Sequence, residues 1–352
     1  AGGEVTRPFV LTDPFSTAFV ERGFTLTRTT PDGTRILEKL PDDFSEKTHF
    51  DAQTQLELFT NRFRAVAEQM GAMLQRTAVS VNVKERLDFS CALLDPDGRL
   101  VANAPHIPVH LGSLGVCVRR VREVIEMAPG DVVVTNHPGF GGSHLPDVTL
   151  ITPVFAEREK GKAEKGKREN RGHSPFSALL GYVVNRCHHA EIGGIRPGSM
   201  PPNATNLAQE GVVIFPMKLV EGGAVRWGEI RRVLTSGPYP TRNVAKNLAD
   251  LAAALAANRR GEAALRQLAD DHGAEQVHRQ MAALLDYSAR RMRAKLAQLP
   301  EGEVEGEEKL DDGTPLRVRI SVKNCQLPTE NCQLDFTASA PVHSGNLNGT
   351  EA

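Results

Sequence analysis

Between Asp131 and Gly198 two apolar, β-type runs each empty into a Gly- and Pro-rich loop that carries histidine and carboxylate side chains. The first run, DVVVTN, opens onto His144-x-x-Asp147, after which VTLITPVF returns to the sheet. The second, ALLGYVVNRC, opens onto His188-His189-x-Glu191. Loops of this composition bury little apolar surface, so their polar side chains call for a chemical reason. Pro146 disfavours a helix in the first loop, and a turn can still bring side chains at i and i+3 together. Two imidazoles and one carboxylate make a facial ligand set with open positions, suited to zinc, manganese or iron. Spacing leaves His188 and His189 equally eligible as the third ligand. The spare histidine and Glu191 are then candidates for an orienting group or a general base.

The flanking chain supplies the scaffold. Residues 1–50 read as an extended arm, with FTLTRTT and RILEKL forming a hairpin around Pro31-Asp32-Gly33-Thr34. Thr54-x-x-Glu57 fits a capping box at the start of a helix striped by Phe59, Phe63, Val66, Met70 and Leu74. VSVNVKERLDFSCALLDPDGRLVANAP reads as a hairpin turning at Asp95–Gly98, its outbound strand carrying Lys84, Glu85, Arg86 and Asp88. His106 and His110 then precede a helix from about Leu114 to Met127. Residues 156–173 hold seven basic and four acidic side chains and read as an exposed insertion. VVIFPMKLV is strand-like, residues 241–300 are helical with a break near His272-Gly273, and residues 301–352 begin a β-rich segment that stops without a capped element. The predicted organisation is an arm (1–50), an α/β core with the metal site (51–240), a helical segment (241–300) and an incomplete β-rich segment (301–352). The fold class expected is α+β, with mixed sheets and a helical segment.

Other chemistries find no foothold. With 42 basic and 43 acidic residues, charge gives no pull towards nucleic acid or an anionic membrane. No apolar run is long enough to span a bilayer, and no signal pattern opens the chain. The five cysteines are scattered and form no C-x-x-C pair, which suits a reducing, cytoplasmic setting. Neither nucleotide-cradling glycine motif is present, nor a G-x-S-x-G elbow.

Read together, SVNVKERLDFSCALLDPDGRLVANAPHIPVHLGSLG, GGSHLPDVTLITPVF, HHAEIGGIRPGSMPP and QEGVVIFPMKLVEGG resemble the hydantoinase B family. This is the B component of ATP-dependent 5-oxoprolinases, N-methylhydantoinases and acetone- or acetophenone-type carboxylases. The resemblance implies part of a larger multi-subunit or longer-chain enzyme, in which an A component spends ATP to phosphorylate a ring carbonyl and the B component completes ring opening. It maps the divalent metal, zinc or manganese, onto His144, Asp147 and His188. His189, Glu191 and Asp88 would then be catalytic, and Arg86, His106 and His110 would meet a 5-oxoproline or hydantoin-like cyclic amide. A carboxylase subunit and a non-catalytic scaffold are the rival readings. The sequence departs from the family pattern in placing His137 where Asp is usual after Asn136, and Glu191 where Asp is usual. The basic insertion and an early end relative to the family are further departures.

Overall fold

The computed structural model describes residues 9–12, 17–20, 24–29, 35–39, 51–104, 107, 110–157, 176–323 and 332–349. The chain divides into two units, Ala1–Gln55 and Leu56–Ala352. In the first, β1 (Phe9–Thr12) pairs with β2 (Thr17–Val20), and β3 (Phe24–Thr29) with β4 (Arg35–Lys39), both antiparallel. The second pair is the hairpin anticipated from sequence. Helix α1 (Ala52–Thr77) does not begin at the Thr54–Glu57 box. Its cap is the Asp51 carboxylate, which accepts from the Thr54 amide at 2.8 Å and the Thr54 hydroxyl at 3.1 Å.

The charged stretch after α1 also corrects the expectation. Residues Val81–Lys84 form a short helix, α2, and Leu87 turns the chain with φ +56° before β5 (Phe89–Leu94) starts. Lys84, Glu85 and Arg86 are therefore exposed on a helical turn rather than strung along a strand. Strand β6 (Leu100–Asn103) then returns antiparallel to β5. Helix α3 (Ser113–Val124), β7 (Val132–Thr135), β8 (Asp147–Glu157) and β9 (Phe176–His188) follow. Residues 158–175, which hold most of the expected insertion, lie outside the described residues, and Ala156 and Glu157 belong to the end of β8.

After a short helix, α4 (Leu207–Glu210), strand β10 (Met217–Glu221) takes in only the end of the VVIFPMKLV run; Ala224–Val225 is β11. Residues 212–215 form no strand: Asn136 and Thr135 take both backbone groups of Ile214 instead. Helix α5 (Trp227–Thr235) was not anticipated, although Ile230 and Leu234 stand four apart and both are buried. Helices α6 (Val244–His272) and α7 (Ala274–Leu296) break at Gly273 as expected.

Seven strands form one sheet in the order β11-β10-β7-β8-β9-β5-β6, every pair antiparallel. Strand alternation sorts its residues to two faces. Val134, Leu150 and Cys91 join a core with Phe63 and Met70 of α1 and Leu251 and Leu255 of α6. Val133, Ile151, Val184 and Ala92 point the other way, onto Leu114, Cys117, Val118 and Val121 of α3. Both faces are covered, which is why the central strands read as unbroken apolar runs. A separate three-stranded sheet, β12 (Gly302–Lys309), β13 (Pro315–Val322) and β14 (Cys332–Asp335), follows the helices and completes the α+β architecture. Among the described residues no helix is long and apolar enough to cross a membrane.

One polar bracket fixes α6 on the strands that carry the site. Asn258, fully buried, donates to the Leu150 carbonyl (3.1 Å) and the Thr152 hydroxyl (3.0 Å) of β8, and accepts from Asn185 Nδ2 of β9 at 2.7 Å. Replacing it by an apolar side chain leaves one N–H of the Asn185 amide, whose other bond runs to the Ala254 carbonyl, and the Thr152 hydroxyl without this partner in the core. The Asn258→Leu variant should therefore lose about 2–4 kcal/mol of stability in denaturant unfolding; a wild-type midpoint would show that the bracket is dispensable.

Candidate metal centre

Asp147 is the first residue of β8 and sits opposite His188, the last residue of β9. Register places both side chains on the α3 face of the sheet. His144 reaches the same point from the preceding loop, whose turn runs from the His144 carbonyl to the Asp147 amide at 3.0 Å. His144 Nδ1 lies 2.9 Å from Asp147 Oδ2, and His188 Nδ1 lies 3.3 Å from Oδ1. Ligand-competent atoms of His144, Asp147 and His188 all fall within 4.8 Å of one another. The two imidazole rings are 4.8 Å apart, tilted by 44°.

Asp147 is 1% exposed, and its two oxygens differ. Oδ2 receives His110 Nε2 at 3.0 Å, His144 Nδ1 and the Ser143 hydroxyl. Oδ1 is buried and has no hydrogen bond among the described residues. Burial alone would raise this carboxyl, but the hydrogen bonds from His110 and His144 and the nearby His188 imidazole overcome it and hold Asp147 far below the usual carboxylate range. For His144 burial pulls the pKa down, yet the Asp147 hydrogen bond and charge, with Asp88 beyond, raise it. A buried ionised carboxylate with one oxygen free, flanked by two imidazoles, can hold a divalent cation and leave coordination positions open.

The same alternation separates the two neighbouring histidines. His189 points to the opposite face, where its Nδ1 accepts from Asn247 of α6 at 3.1 Å; its Nε2 has no hydrogen-bond partner among the described residues. It is 1% exposed, and burial pushes its pKa down to about 4. His189 thus does not join His144 and Asp147.

Glu191 is not brought to the cluster either. Its carboxylate is filled by four donors: the Gly193 amide (2.6 Å), Arg242 Nη1 (2.7 Å), the Thr241 hydroxyl (2.7 Å) and the Arg242 amide (2.9 Å). Burial would raise this carboxyl, but these bonds lower it on balance. A carboxylate with its lone pairs occupied is a loop clamp rather than a free base.

Asp88 stands nearer, with Oδ2 3.9 Å from His188 Nδ1, and its carbonyl accepts the His188 amide at 3.0 Å. Arg86 is exposed on the turn beside it. His110 is buried behind Asp147 and contacts Ser90 through Nδ1 at 3.0 Å, a position that orients the carboxylate instead of lining an open surface. His106 lies outside the described residues. His137, where the family pattern has Asp, accepts the Gly139 amide at 3.0 Å and packs 4.5 Å from the Phe215 ring, so it caps its own turn.

Sequence reasoning missed Ser143, Ser90 and Arg186. The strand period was the available signal for Arg186, since it lies two residues before His188 and so on the same face.

Comparison with known proteins agrees with this arrangement in family and fold. Residues 52–352 match the Hydantoinase B/oxoprolinase family. The 5-oxoprolinase of Saccharomyces cerevisiae is 38% identical over 309 residues, covering 84% of this chain but 22% of that protein. The crystal structure of the ATP-dependent caprolactamase from Pseudomonas jessenii superposes with a TM-score of 0.65 at 28% identity, over 78% of this chain and 45% of its own. A nucleotide-free acetone carboxylase shares the fold, with a TM-score of 0.63 at 16% identity over 82% of this chain and 38% of that one. The chain thus spans less than half of each.

The clamp makes a pH-dependent prediction. Because Glu191 titrates lower in the folded chain than when unfolded, its contribution is complete above the unfolded carboxylate value and is lost as pH falls through the folded one. Glu191→Gln should cost about 2 kcal/mol at neutral pH. The deficit should shrink on acidification below the carboxylate range, as read by urea midpoints across pH; a pH-independent deficit would refute the ionised clamp.

Proposed function

The chain belongs to the Hydantoinase B/oxoprolinase family, and on that footing we propose that it carries the ring-opening half of an ATP-dependent cyclic amide hydrolase. The substrate class is a lactam or imide ring, 5-oxoproline or a hydantoin-like ring, whose carbonyl oxygen a hydantoinase A-type partner phosphorylates first. Its setting is the cytoplasm, in a hetero-oligomer or with further chain of the same enzyme. The observation that carries the reading is Asp147 Oδ1, buried between His144 and His188 with no hydrogen bond among the described residues.

The cluster fits a divalent cation in donor chemistry, and zinc or manganese held by His144, Asp147 and His188 would polarise the activated carbonyl or acidify a water. The rest falls to the chain's own groups. Oδ2 of Asp147 is fixed by His110 and Ser143, which leaves Oδ1 on the side of His188. Asp88, partly exposed and beside His188, is the carboxylate free to accept a proton from an attacking water. Arg86, exposed two residues before it, would meet an anionic substituent on the ring or its phosphoryl group. His189 and Glu191 serve by holding the second loop, His189 against α6 and Glu191 against Thr241 and Arg242.

Elemental analysis of the purified chain tests the cation directly. Zinc or manganese should be present at close to one equivalent and should fall to background in His144→Ala with the circular dichroism spectrum unchanged. Stoichiometric metal retained in that variant would remove His144 from the ligand set. Assayed alone, the chain should not hydrolyse ATP, and ring opening should require an A-type partner together with ATP. ATP turnover by the isolated chain would overturn the division of labour.

A further inference from the structure

Arg186 is the largest fully buried side chain of the described residues, at 0% exposure. A guanidinium in that position is ordinarily paired with a carboxylate. Here its described partners are three uncharged oxygens: Thr149 Oγ1 at 2.8 Å from Nε, Ser113 Oγ at 2.6 Å from Nη1, and the Gly141 carbonyl at 2.7 Å from Nη2. The three belong to three different elements, namely β8, the first turn of α3 and the loop that carries His144. A planar fork with donors on three nitrogens can bridge such divergent acceptors, whereas an ammonium is a single point of attachment.

Each acceptor lies one step from a group of the cluster. Thr149 is two residues from Asp147 and on the same face of β8. Ser113 donates onward to the His110 carbonyl at 3.1 Å, and the His110 ring reaches Asp147 Oδ2. Gly141 precedes Ser143 and His144, and there the loop has no slack. Its φ is +77°, and a Cβ added to it would stand 2.6 Å from the Cys117 amide nitrogen of α3. Arg186 itself precedes His188 by two residues on β9.

We propose that Arg186 is the positioning residue of the cluster, holding the His144 loop, the His110 segment and β8 in fixed relation to His188. The inference rests on the reading of His144, Asp147 and His188 as a cation site only for its second readout. The first readout is independent of any cation. In metal-free 352-residue chain, Arg186→Met should raise amide hydrogen exchange of residues 137–147 and 110–113 by tenfold or more. Peptides from α6 and from β12–β14 should keep their wild-type protection. Arg186→Lys, which keeps the charge and loses the fork, should behave like the methionine variant in the 137–147 loop. Should Arg186→Met not fold, Ser113→Ala provides the milder break, with exchange raised selectively at 110–113.

The second readout is manganese and zinc titration of the same proteins, in which both Arg186 variants should bind at least tenfold more weakly than wild type. Wild-type protection of the loop in Arg186→Met, or protection lost uniformly across the unit in both Arg186→Lys and Ser113→Ala, would overturn the proposal. Loosened loops with unaltered cation affinity would also overturn it. A wild-type chain that binds neither cation would instead sink the reading of the site, leaving the exchange data to decide the role of Arg186.

Discussion

A carboxylate taken out of water at the end of a strand must find positive or hydrogen-bonding partners or give up its charge. Asp147 is that carboxylate, and its partners come from everywhere but its own strand. His110 reaches it from the segment before α3, Ser143 and His144 from the loop before β8, and His188 from the end of β9. Each of those elements is positioned by something else: α3 by its apolar face against Val133, Ile151 and Val184, β9 by ten register pairs with β8, and the loop by the turn that closes on Asp147. The charge is thus held ionised by the tertiary structure, and the direction of its pKa shift records how much structure converges on it.

The adjacent histidines show how sharply a pleated strand divides labour. His188 and His189 differ by one residue, and one residue is half the period of the strand. His188 therefore faces Asp147 and α3, while His189 faces Asn247 and α6. The pair ties the cluster on one side of the sheet to the long helix on the other, where Asn258 and Asn185 repeat the same pattern of buried amides between helix and strand. A one-residue slip of β9 would turn His188 to the α6 face and His189 to the α3 face.

This parity explains what could be read in the sequence. The strands around Val132–Thr135, Asp147–Glu157 and Phe176–His188, the stripe of α1 and the break at Gly273 all follow local periodicity, which the sequence displays openly. His144 and Asp147 were legible because they are three apart in one turn. Partners set by distant chain were not. Glu191 looked available for chemistry until Thr241 and Arg242, some fifty residues on, filled its lone pairs. Arg186 went unread because the three elements that converge on it are distant in the chain. The capping of α1 moved from Thr54 to Asp51 because a carboxylate just ahead of the helix is the better acceptor for the first free amides.

The long Gly- and Pro-rich stretch after His188 has the composition of a flexible lid, yet much of its backbone is hydrogen-bonded to fixed neighbours. The Gly194 amide bonds to Tyr239, Ile195 to Gln209 and Val212 to Ile192, while the Ser199 hydroxyl takes the Ile192 amide and donates to Gly193. Gly194 is required by proximity: a Cβ there would stand 2.5 Å from the Glu210 carbonyl. Its glycines let the chain pack close to α4 and to the segment before α6, which gives the loop fixed walls. Rigid walls around a buried carboxylate and two imidazoles are what a site needs if its groups must already be in place when a reactive intermediate arrives. The glycines, the Glu191 clamp and the buried Arg186 fork are then three solutions to one problem, that of holding side chains from separate loops to a common point.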